Sequence, residues 1–587
     1  MNRKLVLAFI LIVFLPAAFF SQQVIGRIDV TGSVFSRTEY VNWSGVRTGM
    51  KVFPSILDTV KLNLTKKLSE MGYYHPSFEG TGFEASTDAS GADLRIAVRP
   101  GNPTYVRNIE IESAGADSAY FMRLFGFMKG QVFVKPELED NLSSSLDYLQ
   151  EKGFPFAKVI ISSIFFTKDT ASSREVADLF LKIDKGLVTK IDEVKIKGNT
   201  KTSDRVILRE LRIKPGSLYS QKLIEQVPQR LDRLRFFEPL EEPSYYLNSK
   251  GEGVLLINVK EKQTNNFDGI LGYLPGTGEG QKGYLTGLVN VTLRNILGSG
   301  RAAAIKWQQL DRYSQDLELR YLEPWLFSFP FNVNLGLIQH KQDTTYIQRR
   351  YEASLEYLAT EDISASVVLS TEDVIPTENG SPYFTVFNSS TVSTGVSLKI
   401  DTRDDFYAPT KGIYFLNSYL FSRKKVNGPE RFLNTETIQN INQQRFAIDF
   451  SLFYEIFSSQ VAALGLHGRE LRSTNYEVSD LYRFGGTNTL RGYNENQFLA
   501  NRLLWSNLEY RVLLSRRTYG FLFLDSGYYL RSAEPERNIP RTSSFKNGYG
   551  LGINLETGFG ILSVSYALGN GDQFSQGKIH LGLVNEF

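Results

Sequence analysis

Arg491 is the residue whose surroundings most clearly predict a specific interaction. It lies in the stretch Phe484–Phe498, whose glycines and asparagines are typical of a long loop with tight turns. Its guanidinium offers five donors in a planar fork, and Gly492 lets the backbone come close to a neighbouring wall. We therefore expect Arg491 and Gly492 to fasten this loop to a carboxylate. A surface turn with a solvated arginine is the alternative.

Two acids downstream of the loop have the right parity to receive this arginine. Glu509 shares its strand face with Arg511, while the apolar Leu508 and Tyr510 point the other way. Asp525 is likewise opposed by Leu524 and Leu522. Both carboxylates are therefore predicted to face a polar interior, with at least one of them within hydrogen-bond reach of Arg491. The alternative is two unrelated acids that face water.

Other kinds of chemistry find little support in the sequence. The chain has no cysteine, which excludes disulfides, thiolate metal sites and a lipid-modified N-terminal cysteine. Its four histidines, including His75 and His580, show no metal-ligand spacing and are interpreted as structural. No Gly-x-Ser-x-Gly elbow has convincing partners, and a net charge of +3 offers no basic face for nucleic acid. We predict no enzyme activity, no cofactor and no metal.

Residues 263–587 are predicted to form the element that positions the loop. Short alternating runs continue to the last residue, with many of the 48 glycines, 41 phenylalanines and 30 tyrosines of the chain. At about 20 residues for each strand and its turn, this length indicates roughly 16 strands of a transmembrane antiparallel β-barrel. A soluble β-sandwich would alternate too, but does not explain so many strands.

The two ends of this barrel predict a weak seam. The first strand, about Phe267–Leu274, contains Gly269 and Gly272 and stops at Pro275, so its pairing is expected to be weak. The last strand is short and has Leu581, Leu583 and Phe587 on its lipid-facing side. We predict that the seam opens transiently, and that Phe587 is the barrel's own assembly signal. Simple packing of an aromatic girdle is the alternative for Phe587.

Three α+β repeats of about 80 residues precede the barrel. Their predicted bounds are 22–100, 101–186 and 187–262, each in the order β-α-α-β-β, and their sheet edges are suited to accept extended peptides. Residues 1–21 have the charged and apolar regions of a secretory signal peptide, with an uncleaved anchor as the alternative.

The repeats resemble the polypeptide-transport-associated (POTRA) domain, with its turn at Lys197-Gly198-Asn199-Thr200. With the barrel included, the chain resembles the BamA/TamA superfamily of outer-membrane assembly and translocation proteins. The barrel segments that resemble family landmarks are Asn295–Gly300, Tyr321–Trp325, Asp401–Asp404, Pro409–Gly412, Arg491–Tyr493, Leu508–Arg511 and Phe523–Gly527.

The resemblance implies a function and a location. It implies a bacterial outer-membrane protein whose POTRA domains, in the periplasm, hold unfolded outer-membrane or secreted clients that the barrel inserts or passes at its seam. Three POTRA domains favour the TamA type, with a TamB-like periplasmic partner. The alternatives are a passive porin or channel and, much less favoured, an outer-membrane lipase or protease.

Overall fold

The computed structural model describes most of residues 24–584. The gaps are residues 54, 86–90, 171, 173, 275–282, 310, 378–385, 434–436, 535–538 and 558–559. The predicted signal peptide, Pro275 and Phe587 lie outside the described residues. Within the described part, no helix combines the length and the apolar character needed to cross a membrane.

The chain divides into two compact units. The first runs to Asp192 and includes Pro215–Lys222 and Leu247–Gly253. The second consists of Glu193–Lys214, Leu223–Tyr246 and the chain from Val254 onward.

The first two repeats are complete α+β domains of the predicted order. The elements of the first are β1 (Val24–Gly32), α1 (Arg37–Ser44), α2 (Ile56–Glu70), β2 (Ser77–Ala85) and β3 (Gly91–Arg99). Those of the second are β4 (Thr104–Glu112), α3 (Ser118–Gly126), α4 (Lys135–Glu151), β5 (Lys158–Lys168) and β6 (Glu175–Asp184). In each sheet the last strand lies in the middle, in the orders β1-β3-β2 and β4-β6-β5.

Helical spacing explains the core of these domains. Val60, Leu64 and Leu68 recur every four residues on α2 and are fully buried against the central strand β3. Leu138 and Leu149 of α4 are buried in the same way over β6.

The third repeat departs from the prediction in its second helix. Its elements are β7 (Lys190–Ile191), β8 (Glu193–Lys197), α5 (Asp204–Leu211), β9 (Ser217–Leu218), α6 (Gln221–Glu225), α7 (Val227–Asp232), β10 (Ser244–Leu247) and β11 (Gly253–Asn258). One longer amphipathic helix was expected where the structure has α6 and α7. Pro228 explains the break, because proline lacks the N–H that would bond to Ile224 and its ring crowds that carbonyl.

The predicted glycine turns share one backbone conformation. Gly49, Gly130 and Gly216 have φ of +85°, +82° and +82°, a region in which glycine is favoured. The repeat is therefore visible in the backbone as well as in the order of elements.

The rest of the second unit is one antiparallel sheet of sixteen strands, as predicted. In sheet order its strands are β12 (Asn266–Leu274), β13 (Tyr284–Ile296), β14 (Arg301–Gln309), β15 (Gln315–Glu323), β16 (Phe331–Gln342), β17 (Tyr346–Leu358), β18 (Ile363–Pro376), β19 (Asn388–Asp401), β20 (Gly412–Gly428), β21 (Asn440–Phe457), β22 (Gln460–Ser473), β25 (Arg502–Leu513), β26 (Tyr519–Arg531), β27 (Thr542–Thr557), β28 (Gly560–Gly569) and β29 (Lys578–Val584). Two short strands, β23 (Tyr482–Phe484) and β24 (Phe498–Ala500), form a hairpin of their own inside the loop after β22.

Burial in the barrel strands follows the predicted alternation. On β26 the side chains of Leu522 and Leu524 are exposed on the outer face, while those of Phe523 and Asp525 are buried on the inner face. This period of two delivers charged side chains to the interior and apolar ones to the lipid.

Candidate functional site

The loop between β22 and β25 is anchored at its base and folded tightly at its tip. Phe484 and Phe498 are paired across the β23–β24 hairpin. Between them Gly485 and Gly486 have φ near +105° and +104°, and the backbone N of Gly486 donates to Leu490 O at 3.0 Å. This fold brings Arg491 onto the inner face of β25 and β26.

Arg491 binds both of the predicted acids. Its Nη1 donates to Glu509 Oε1 at 2.7 Å, while Nε and Nη2 donate to the two oxygens of Asp525 at 2.8 and 2.7 Å. The backbone N of Arg491 adds a fourth bond to Asp525 Oδ2 at 3.0 Å. The planar fork is thus used on two strands at once, which a lysine would not reproduce.

The latch, which we define as Arg491, Glu509 and Asp525, is nearly dry. Asp525 has no exposed surface and Arg491 retains 8%. Arg511 donates to Glu509 Oε2 at 2.9 Å, so two guanidinium groups balance two carboxylates. The guanidinium of Arg491 also lies 3.7 Å from the ring centre of Phe523. Charge balance makes burial of so many ions tolerable.

Gly492 and Tyr493 hold the loop against the last strands of the sheet. Gly492 has φ of +90°, and a Cβ there would come within 2.7 Å of the carbonyl carbon of Leu568. The Tyr493 hydroxyl donates to Asn547 O at 3.0 Å. Only glycine therefore fits at 492 without moving β28.

A second buried ion cluster was not predicted from the sequence. Lys424 on β20 is 1% exposed, and its Nζ donates to Glu477 Oε2 at 2.7 Å and Asp480 Oδ1 at 2.8 Å. The two acids lie in the first part of the loop. Strand parity was the available signal, because Lys424 shares the inner face with the buried Ser422 and Val426.

The structure gives His580, which was predicted to be structural, a specific contact. Its imidazole lies against the loop, with Nε2 accepting from the backbone N of Gly492 at 3.0 Å.

The seam residues lie on the two ends of the sheet. In β12, Phe267, Gly269 and Gly272 are opposite Val291, Val289 and Thr286 of β13. In β29, Leu581 and Leu583 are opposite Val564 and Leu562 of β28. Within the described residues no ladder joins β12 to β29, so each of these two strands has one neighbour. Phe267 and Leu581 are 72% and 67% exposed.

Two of the family landmarks meet at the start of the barrel. The carboxylate of Glu261 accepts hydrogen bonds from the backbone N–H groups of Thr200, Lys201 and Thr202. The shortest of these, from Thr202 N, is 2.6 Å long. Burial alone would raise the pKa of Glu261, but hydrogen bonds from the Thr202 and Thr200 hydroxyls and from these backbone N–H groups lower it to about 2. The same turn receives the barrel turn Asn295–Gly300, because Asn295 Nδ2 donates to Thr202 Oγ1 at 2.7 Å.

Arginines of the third domain bind the same barrel turn and several others. This arginine cluster consists of Arg205, Arg209, Arg212, Arg230, Arg233 and Arg235. Arg212 donates to three backbone carbonyls, among them Thr360 O at 3.2 Å. Arg230 and Arg233 bind the carboxylates of Glu361 and Asp362 at 2.9 and 2.5 Å.

Comparisons with known proteins agree with this architecture. The model of the Omp85 superfamily domain matches residues 295–587, and that of the surface antigen variable number repeat, a POTRA model, matches residues 189–262. The outer membrane protein assembly factor BamA of Nitratidesulfovibrio vulgaris is 23% identical over 76% of this chain and 56% of its own length. BamA of Neisseria meningitidis is 22% identical over 40% of this chain and 28% of its own.

A solved structure of BamA from Haemophilus ducreyi lacking POTRA domains 1–3 is also similar. It is 18% identical, covers 82% of this chain and 98% of its own, and superposes with a TM-score of 0.48. A superposition this loose supports no inference by itself.

The chain spans about half or less of the length of these two curated relatives. Both relatives are named outer membrane protein assembly factors. With one model on the barrel and a second on the domain before it, the chain belongs to the Omp85/BamA superfamily of POTRA-barrel proteins.

Proposed function

We propose that this chain is an assembly or translocation factor that captures unfolded protein clients with its POTRA domains and inserts or passes them at the barrel seam. It resides in the bacterial outer membrane, with the POTRA domains in the periplasm. The observation that carries the proposal is the sixteen-stranded sheet whose described ends, β12 and β29, each have a single neighbour. Unpaired backbone N–H and C=O groups at such an edge template an incoming strand.

The second POTRA domain offers a surface for client capture. Its strand β5 lies at the sheet edge and, in the described part of the chain, is paired only with β6. Phe165 and Phe166 on this strand are 56% and 42% exposed. An extended segment with apolar side chains would add main-chain hydrogen bonds to β5 and cover these rings.

The proposed subclass is the TamA type, working with a TamB-like periplasmic partner. The three POTRA domains found between residues 24 and 262 support it. Affinity purification of the intact protein from membranes tests this part, with a long periplasmic partner as the expected companion. Recovery of the accessory proteins of a BamA complex in its place would assign the chain to the BamA type.

Depletion of the protein tests the function itself. Outer-membrane proteins that depend on it are expected to fall in abundance in the outer-membrane proteome, while periplasmic proteins stay constant. A passive porin would leave this proteome unchanged and give a permanently open channel in single-channel recordings.

Cysteine cross-linking tests the seam. A pair at Gly269 and Leu583, moved by one or two positions once the register of the closed seam is known, is expected to stop client assembly when oxidised and to restore it when reduced. The matched control is a pair at Val367 and Val396, which lie opposite each other in the paired strands β18 and β19. Full activity of a completely cross-linked seam would leave the lumen as the route.

Phe587 is proposed as the assembly signal of the barrel. Its deletion is expected to lower the amount of folded, heat-modifiable protein without weakening barrels already formed. A normal rate and level of folding would favour girdle packing.

A further inference from the structure

His580 lies on the inner face of the closing strand. Its neighbours Ile579 and Leu581 are 69% and 67% exposed on the outer face, whereas His580 is 6% exposed. The alternation of β29 therefore delivers one imidazole to the interior at the end of the sheet.

The hydrogen bonds of this imidazole select one tautomer. The backbone N of Gly492 is only a donor, so Nε2, at 3.0 Å, must be unprotonated. The ring proton is then on Nδ1, which lies 3.3 Å from Thr487 Oγ1. That hydroxyl in turn donates to Glu495 Oε1 at 2.6 Å, which leaves its oxygen as an acceptor for the ring.

These contacts join the latch to the seam. Two consecutive backbone N–H groups of the loop go to two different strands: that of Arg491 to Asp525 on β26, and that of Gly492 to His580 on β29. Strand β29 is seven residues long and, among the residues that the structure describes, is paired on one side only. The imidazole gives this weakly held strand a second attachment, from inside the barrel.

We propose that His580 is a positioning residue that ties the closing strand to the loop turn Arg491–Tyr493, so that the latch and this edge of the seam move together. Its consequence for client insertion rests on the proposed function, whereas the attachment itself does not. The attachment requires a hydrogen-bond acceptor at position 580 and not merely a side chain of similar size.

Disulfide trapping measures the attachment directly. The chain has no cysteine, and a Cβ at Gly582 would lie 3.4 Å from Thr487 Cγ2, so a Thr487→Cys/Gly582→Cys pair is within disulfide reach. This pair removes the contact of the Thr487 hydroxyl with His580 Nδ1 and keeps that of the Gly492 N–H with Nε2, which is the attachment under test. Oxidation is followed on the folded fraction, separated by heat-modifiable migration.

Replacement of the acceptor should slow the trapping. In the protein that carries the cysteine pair, the additional change His580→Leu is expected to slow disulfide formation about fivefold. Loss of one neutral hydrogen bond gives a factor of this size. His580→Gln, whose amide oxygen accepts a hydrogen bond, should restore most of the rate. The matched control is Lys578→Gln, on the same face of β29, because Lys578 pairs with Asp572 and not with the loop. If His580→Leu yields no folded protein, His580→Ala takes its place.

Two results would overturn the proposal. One is equal oxidation of the His580→Leu and parent proteins. The other is a His580→Gln protein as slow as His580→Leu, which would mean that the ring acts by packing alone. Because no client takes part, failure of the proposed assembly function would not alter either result.

Discussion

The latch and the arginine cluster use the same side chain in two different environments. Arg491 is 8% exposed and meets two carboxylates that belong to strands. Arg233 of the cluster keeps about a third of its side chain in solvent, and Arg212 binds backbone carbonyls. A guanidinium in a dry interior is held strongly because water does not compete for its partners, whereas an exposed one contributes little by itself.

The latch and the arginine cluster also differ in the number of arginines that make the attachment. One arginine holds the loop to β25 and β26, while six arginines contact the barrel turns. Loss of a single residue should therefore disable the first region and scarcely affect the second.

Arg491→Ala is expected to have the largest effect. It leaves Asp525 buried without its cation, which costs roughly 3–5 kcal/mol of unfolding free energy. Arg491→Lys should recover little, because one ammonium does not span both acids. Urea unfolding in lipid vesicles measures the loss, and protease cleavage of the loop reports its release.

The matched control for this prediction is Arg502→Ala. Arg502 also lies on β25 and pairs with Glu470, but its side chain is 56% exposed. It should cost less than about 1 kcal/mol. Equal losses for Arg491 and Arg502 would contradict the contrast between buried and exposed arginines.

Lys424→Met should have the next largest effect, near the lower end of about 3–5 kcal/mol. Its partners Glu477 and Asp480 lie in a loop and are freer to reach water than acids on strands. The exposed neighbour Lys425→Met is the control and should leave unfolding in urea unchanged. If the loop between β22 and β25 stays resistant to protease in Lys424→Met, the contacts of Lys424 do not anchor the loop.

Glu261 sharpens the comparison through pH. Its folded pKa of about 2 lies below the ordinary value of 4.5, so its contribution to stability is present above pH 4.5 and is lost as the pH falls towards 2. The difference in unfolding free energy between the parent protein and Glu261→Gln should shrink over this window. The matched control is the exposed Glu241→Gln, whose free energy of unfolding should equal that of the parent protein at every pH. If the difference between the parent protein and Glu261→Gln does not change with pH, the stabilising role of the Glu261 carboxylate is refuted.

Arg233→Ala should have the smallest effect, below about 1 kcal/mol, because its pair with Asp362 is partly solvated. Combined replacement of Arg212, Arg230 and Arg233 should expose the barrel turns to protease. A large effect of Arg233→Ala alone would mean that the arginine cluster acts as one unit.

The repeats, the number of barrel strands and the parity of Glu509 and Asp525 could all be predicted from the amino-acid sequence. These features follow from periods of 3.6 and 2 residues, which are written locally in the chain. The break at Pro228 was also local, and the repeat pattern led to the wrong expectation of one long helix.

Contacts between distant segments could not be predicted in this way. The contacts of Lys424 with Glu477 and of His580 with Gly492 join segments 53 and 88 residues apart. The meeting of the turns at Thr202 and Asn295 spans 93 residues. No local period specifies such pairs, because they depend on where the folded loop and the barrel turns arrive in space.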